Sequence, residues 1–162
     1  MGTGEVFSDP YFSEDEMSVW TDARGEFGDL SATLEDTFYL RATTAGWTTF
    51  HGWSLYGSEG IELTDMKIGK IPNDYIISAA ATVAEVPSRI ERVFANEDLN
   101  DEGFYQLNLY KLGSPVKIQV DDIFPTTIGS WLLHAYTGDD KSLWGPILEK
   151  AFAKFYGNYE IL

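Results

Sequence analysis

No cysteine occurs among the 162 residues, which excludes disulfides, thiolate-bound metal, lipidation through sulfur and a thiol nucleophile. Histidine is nearly as scarce: His51 and His134 are the only imidazoles, too few nitrogen ligands for a zinc site without sulfur. Positive charge is short too. Eleven Lys and Arg stand against 26 Asp and Glu, a formal net charge of -15, and residues 1–60 hold 11 of the acids against Arg24 and Arg41 alone. Such a surface repels phosphate backbones and anionic lipid, so nucleic-acid and membrane-surface roles are disfavoured. No apolar run reaches the ~18 residues a bilayer crossing takes, and the amino terminus lacks the basic segment and apolar stretch of a secretory signal. A cytoplasmic chain without membrane insertion is expected. Gly2 follows Met1, but Val6 stands where a myristoylation signal carries Ser or Thr.

What is present is apolar and aromatic. With 44% hydrophobic and 15% aromatic residues the chain is globular, and its length suits one domain with its own core. Residues 1–60 read as an acidic, aromatic-rich arm without sustained periodicity, in which Phe7, Phe12, Trp20, Trp47 and Trp53 alternate with turn-forming glycines. Trp20, Trp47 and Trp53 suit either a partner surface or a cover over the core.

Regular structure becomes legible at Asn73, a candidate N-cap. The run Asp74 to Glu85 sets Ile76, Ile77, Ala80, Val83 and Ala84 on one face of a buried helix. Pro87 opens a second helix with Ile90, Val93 and Phe94 inward. Alternation over 104–110 and 116–120 predicts a hairpin, with Gly113-Ser114-Pro115 as its turn. Leu143, Trp144, Ile147, Leu148, Ala151, Phe152 and Phe155 form a wide stripe on a last helix ending at Gly157, with Glu149, Lys150 and Lys154 off the stripe. The mixture predicts an α+β fold.

Three stretches carry a resemblance. Gly103 to Tyr110, Val116 to Asp122 with Pro125, and Leu148-Glu149-Lys150-Ala151-Phe152-Ala153-Lys154 followed by Gly157-Asn158-Tyr159-Glu160 resemble the core of calpain-type cysteine proteases. In that family a strand pair ending Val-Asp-Asp leads to Leu-Leu-Glu-Lys-Ala-Tyr-Ala-Lys and Gly-Ser-Tyr-Glu. Phe7-Ser8-Asp9-Pro10-Tyr11-Phe12 and Leu40-Arg41-Ala42 are similar to the family's entry segments. Asp65 to Ile77 looks like the family's Asp-Ile-x-Gln-Gly-x-Leu-Gly-Asp-Cys-Trp-Phe, with one extra residue around Pro72.

The resemblance implies a papain-like first subdomain over residues 61–162, built on a buried central helix, a hairpin and a C-terminal amphipathic helix. It also implies that both reactive groups are gone: Tyr75 occupies the nucleophile position and Ile68 that of the oxyanion glutamine. No catalytic residue and no cofactor are then expected. Asp65 matches an acid of the family's calcium site and is a candidate remnant of it, whereas the second acid aligns to Ser142, with Asp139 and Asp140 nearby. His134 mimics the family's catalytic His-Ala-Tyr but falls in a first-subdomain loop. The catalytic His and Asn belong to a second subdomain that would begin near Leu162. Asp121 and Asp122, adjacent on a strand, point to opposite faces and suit a strand end better than paired catalysis. The implied role is a noncatalytic structural or adaptor subunit with protein partners, cytoplasmic and cytoskeletal or flagellar. A complementing or regulatory half of a protease and a calcium-responsive binding module stay open as alternatives.

Overall fold

The computed structural model describes residues 6–12, 38–42, 52–69, 73–99, 101–127, 131–159 and 162. Trp20, Trp47, His51 and the inserted residue near Pro72 lie outside them. The fold is α+β: small antiparallel sheets and short helices around a main apolar core, with a smaller cluster of Phe12, Ala153 and Tyr159.

Strand β1 (Phe38–Arg41) pairs antiparallel with β5 (Ile123–Thr127), and β5 with β6 (Trp131–Leu132). Strand β2 (Met66–Lys67) pairs with β7 (Tyr136–Thr137), and β3 (Phe104–Lys111) with β4 (Ser114–Asp121). Helices α1 (Asp74–Ala84), α2 (Pro87–Glu91) and α3 (Trp144–Tyr156) cover them. Tyr105, Leu107, Val120, Trp144, Ile147 and Ala151 are fully enclosed where β3 and β4 meet α3.

The hairpin is longer than the alternation suggests, and its tip differs. Leu112 (φ 51°) and Gly113 (φ 81°) make the two-residue turn, while Pro115 sits inside β4 opposite Tyr110. Two successive positive φ values give the turn whose twist matches the flanking strands. Glycine adopts that backbone freely; leucine does not.

Four further expectations are corrected. Helix α1 is half-buried: Ile76, Ile77, Ala80 and Ala84 face the core, but Val83 is exposed, as are Tyr75 and Ala79. Asn73 precedes it without a side-chain capping bond. Helix α2 stops at Glu91, because the chain turns at Arg92 and Val93, and Phe94 bridges to Leu107 of β3, with Ala95 N–H to Gln106 O (2.8 Å) and Asn108 N–H to Val93 O (2.7 Å) on either side. On α3, Glu149 and Lys150 are 1% and 3% exposed; charge alone had placed them outside.

Lys150 is buried because it has partners. Its ammonium donates to Asp121 Oδ1 and to the Ile123 carbonyl. Asp121 also accepts the Asp9 N–H (2.7 Å) and the Ile123 N–H (3.0 Å). One turn on, Lys154 donates to both oxygens of Asp9 (2.8 and 2.6 Å). Arg41 bonds Asp122 and, at 2.6 Å, the Phe7 carbonyl. The two aspartates thus serve at a strand end, tying residues 6–12 and β1 to α3.

Because Leu112 is wholly exposed, replacing it removes strain without losing packing. Leu112→Asn is expected to stabilise the chain by about 0.5–1 kcal/mol in urea unfolding. A loss of stability would contradict the turn.

Candidate functional site

A helix that begins without a side-chain cap leaves backbone N–H groups and the positive end of its dipole at the surface. That is the setting of Tyr75, the second residue of α1. The Asn73 side-chain oxygen beside it is buried without a partner. Tyr75 is 60% exposed, and its phenol pKa is raised, first by desolvation and then by the neighbouring Tyr156. The phenol stays protonated at neutral pH. As a neutral hydroxyl it could act as a nucleophile only with a base beside it.

The structure supplies no such base in His134. That residue lies between β6 and β7, 4% exposed, with its ring stacked flat on Tyr159 at 3.8 Å. Neither nitrogen has a hydrogen-bond partner, and burial lowers its pKa to about 3. Ile68, just past β2, is 54% exposed and offers no hydrogen-bond donor from its side chain.

Tyr75 instead borders an apolar groove of about 280 Å³ between α1, α2, β3 and α3, lined by Ile76, Val83, Val93, Leu109, Leu148 and Phe152. Phe152, on its α3 side, lies nearly parallel to Tyr156, their centroids 6.5 Å apart. The groove exists because the Tyr75, Ala79 and Val83 side of α1 has no covering layer among the described residues. The sequence could not show this, since Val83 fits the core-facing period of α1 as well as Ala80 does. Trp53, by contrast, is partly buried and packs against the core.

A second basin, of about 450 Å³, is acidic. Glu59, Glu62, Asp65, Asp139 and Asp140 line it, with Lys67 as its cation. Asp65 is 2% exposed, and its Oδ2 accepts the Trp144 indole N–H (2.7 Å) and the Glu62 backbone N–H (2.8 Å). Asp140 has its carboxyl pKa raised by burial and by the charges of Asp65 and Glu62. Asp139, fully exposed, is held low by its 2.7 Å bond to Lys67. Ser142 is enclosed and its hydroxyl has no partner. Among the described residues no three acidic or histidine groups converge as a metal site would require. Asp65 works here as a structural acceptor between Trp144 and the 62–65 turn.

The comparisons with known proteins agree in one direction. The family described as "Calpain family cysteine protease" matches residues 7–162. The chain is 34% identical over 105 residues, 65% of its length, to "Calpain-type cysteine protease DEK1" of Zea mays. To "Calpain-12" of Mus musculus it is 30% identical over 168 residues, spanning the whole chain. To "Calpain-type cysteine protease ADL1" of Oryza sativa subsp. japonica it is 28% identical over 157 residues, 96% of the chain. It covers 5%, 22% and 7% of those three relatives in turn.

If Asp65 is a structural acceptor, Asp65→Ala orphans the buried Trp144 indole N–H and the part-buried Glu62 N–H and should cost about 2–3 kcal/mol in urea unfolding, with Asp65→Asn costing less than half of that. A neutral Asp65→Ala would contradict the assignment.

Proposed function

Because the chain belongs to the calpain family of cysteine proteases, we propose that it is a noncatalytic member acting as a structural or adaptor subunit through protein–protein contact. The single observation that carries this reading is the absence of cysteine from all 162 residues. The reaction of a cysteine protease needs a thiolate as its nucleophile. In this reading Tyr75 stands at the nucleophile's position and Ile68 at that of the oxyanion glutamine, within a first-subdomain unit over residues 61–162 preceded by the 1–60 arm.

Two features support a contact role. The phenol of Tyr75 is kept neutral where a thiolate would have been favoured, so the helix tip has lost its reactive charge. Beside it, the uncovered side of α1 and the aromatic side of α3 leave apolar area at the surface, the kind of feature that marks interaction sites. A cytoplasmic, cytoskeletal or flagellar address belongs to the same proposal; fractionation of native cells tests it.

Tagged wild-type chain and a Val83→Glu variant, purified in parallel from native cells, should differ in their bound proteins. A charge in the apolar groove is expected to reduce recovery of the principal partner at least about tenfold, the equivalent of roughly 1.4 kcal/mol. Equal recovery would remove the groove from the proposal.

A further inference from the structure

Beneath the segment that joins β6 to β7 lie three titratable side chains with no part in the groove. His134 is 4% exposed, its two ring nitrogens unpartnered and its face stacked on Tyr159 at 3.8 Å, 8° from parallel. Tyr159 is 2% exposed and meets Phe12 on another side, at 5.8 Å between centroids. Glu149 comes from α3, 1% exposed: one oxygen accepts the Ala135 N–H at 2.8 Å, and the other has no partner.

Burial governs both ionisable partners of this stack. It raises the Glu149 carboxyl to about 8 against the pull of the Ala135 N–H, and it alone lowers His134 to about 3. Among the described residues no counter-charge reverses either shift. Lys150, next to Glu149 on α3, is bound to Asp121 and the Ile123 carbonyl. The charges of Glu149, Asp121 and Tyr39 raise the Tyr159 phenol further, beyond the effect of its burial, so that ring stays neutral. At neutral pH a carboxylic acid, an imidazole and a phenol therefore share the enclosure uncharged.

The segment above them has a mechanical role. Its end, β7, holds β2 through the pairs Met66 with Thr137 and Lys67 with Tyr136. Gly69 lies so close to the His134 carbonyl that a methyl group there would overlap it. The position of Asp65 to Gly69, Ile68 included, is thereby set by residues 132–137.

We propose that Glu149 and His134 form a proton-operated catch on residues 132–137, closed while both side chains are neutral, whose opening frees β7 from β2 and loosens residues 65–69. Ionising either group inside the enclosure requires water to enter, and the Ala135 to Glu149 bond is the contact through which the segment responds.

The two groups act in opposite directions. Glu149, raised from its ordinary value of 4.5 to about 8, contributes fully below 4.5, and its contribution is lost as pH rises toward 8. His134, lowered from 6.5 to about 3, contributes fully above 6.5, and its contribution is lost as pH falls toward 3. Between 4.5 and 6.5 the slopes oppose each other; above 6.5 Glu149 prevails. Over pH 6.5 to 8 the opening equilibrium should then rise about eightfold: Glu149, itself half ionised in the closed form at pH 8, gives about sixteenfold, and His134, still half protonated in the open form at pH 6.5, takes back about twofold.

Amide hydrogen exchange, corrected for intrinsic rates and read on peptides covering 131–137 and 65–69, tests this at pH 6.5 and 8. The wild-type chain should show a rise of about eightfold in opening, confined to these segments, and Glu149→Gln, which mimics the neutral acid and keeps an acceptor for Ala135, less than about twofold. No rise in the wild type, an equal rise in the variant, or a rise spread over the whole chain would each overturn the proposal. Should the variant fail to fold, a carbon-13 titration of Glu149 in the wild type decides: a midpoint near 8 supports the catch, and an ordinary carboxylate midpoint overturns it.

Discussion

The fold depends on a buried ammonium placed between a strand end and a helix. Lys150 brings its charge to Asp121 and the Ile123 carbonyl in the interior, where burial pulls its pKa down and Asp121 pulls it back up. Removing one member of such a pair leaves the other charged and unpaired, at a cost of about 3–5 kcal/mol. Asp121 is shared by the Asp9 and Ile123 backbone N–H groups, so the same carboxylate orders the chain entry, the bend from β4 to β5 and the middle of α3. In the register of β3 and β4 that carboxylate's residue lies opposite Phe104, at the end of the hairpin away from its turn.

That junction also explains what the sequence could and could not reveal. Helices α1 and α3 and the hairpin were legible because their apolar residues keep a period that packing enforces, and the closing Gly157 marked the end of α3. Glu149 and Lys150 were misplaced because a charged residue reads as solvent-facing until its partner is known, and the partner of Lys150 is 29 positions away. The hairpin tip was misread for a local reason: Gly113-Ser114-Pro115 has turn composition, but the strand twist selects Leu112-Gly113, and leucine carries no signal for positive φ. The enclosure of His134 with Tyr159 and Glu149 left no trace in spacing, since it joins a loop, a helix and the C-terminal segment.

The candidate site illustrates the same limit. The segment resembling a calpain nucleophile motif could be read residue by residue, and Tyr75 does sit in the first turn of α1. What the sequence left hidden is the surface around it: a groove opened because one side of α1 lacks a covering layer, and an acidic basin whose central carboxylate is engaged by an indole. The phenol is kept neutral, and Asp65 holds Trp144 in place.

Turnover of a peptide bond tests the central claim most directly. Purified chain incubated with unfolded casein and calcium should release no fragments above the no-protein control, and Tyr75→Phe should give the same result. Cleavage by the wild-type chain that disappears in Tyr75→Phe would contradict the account.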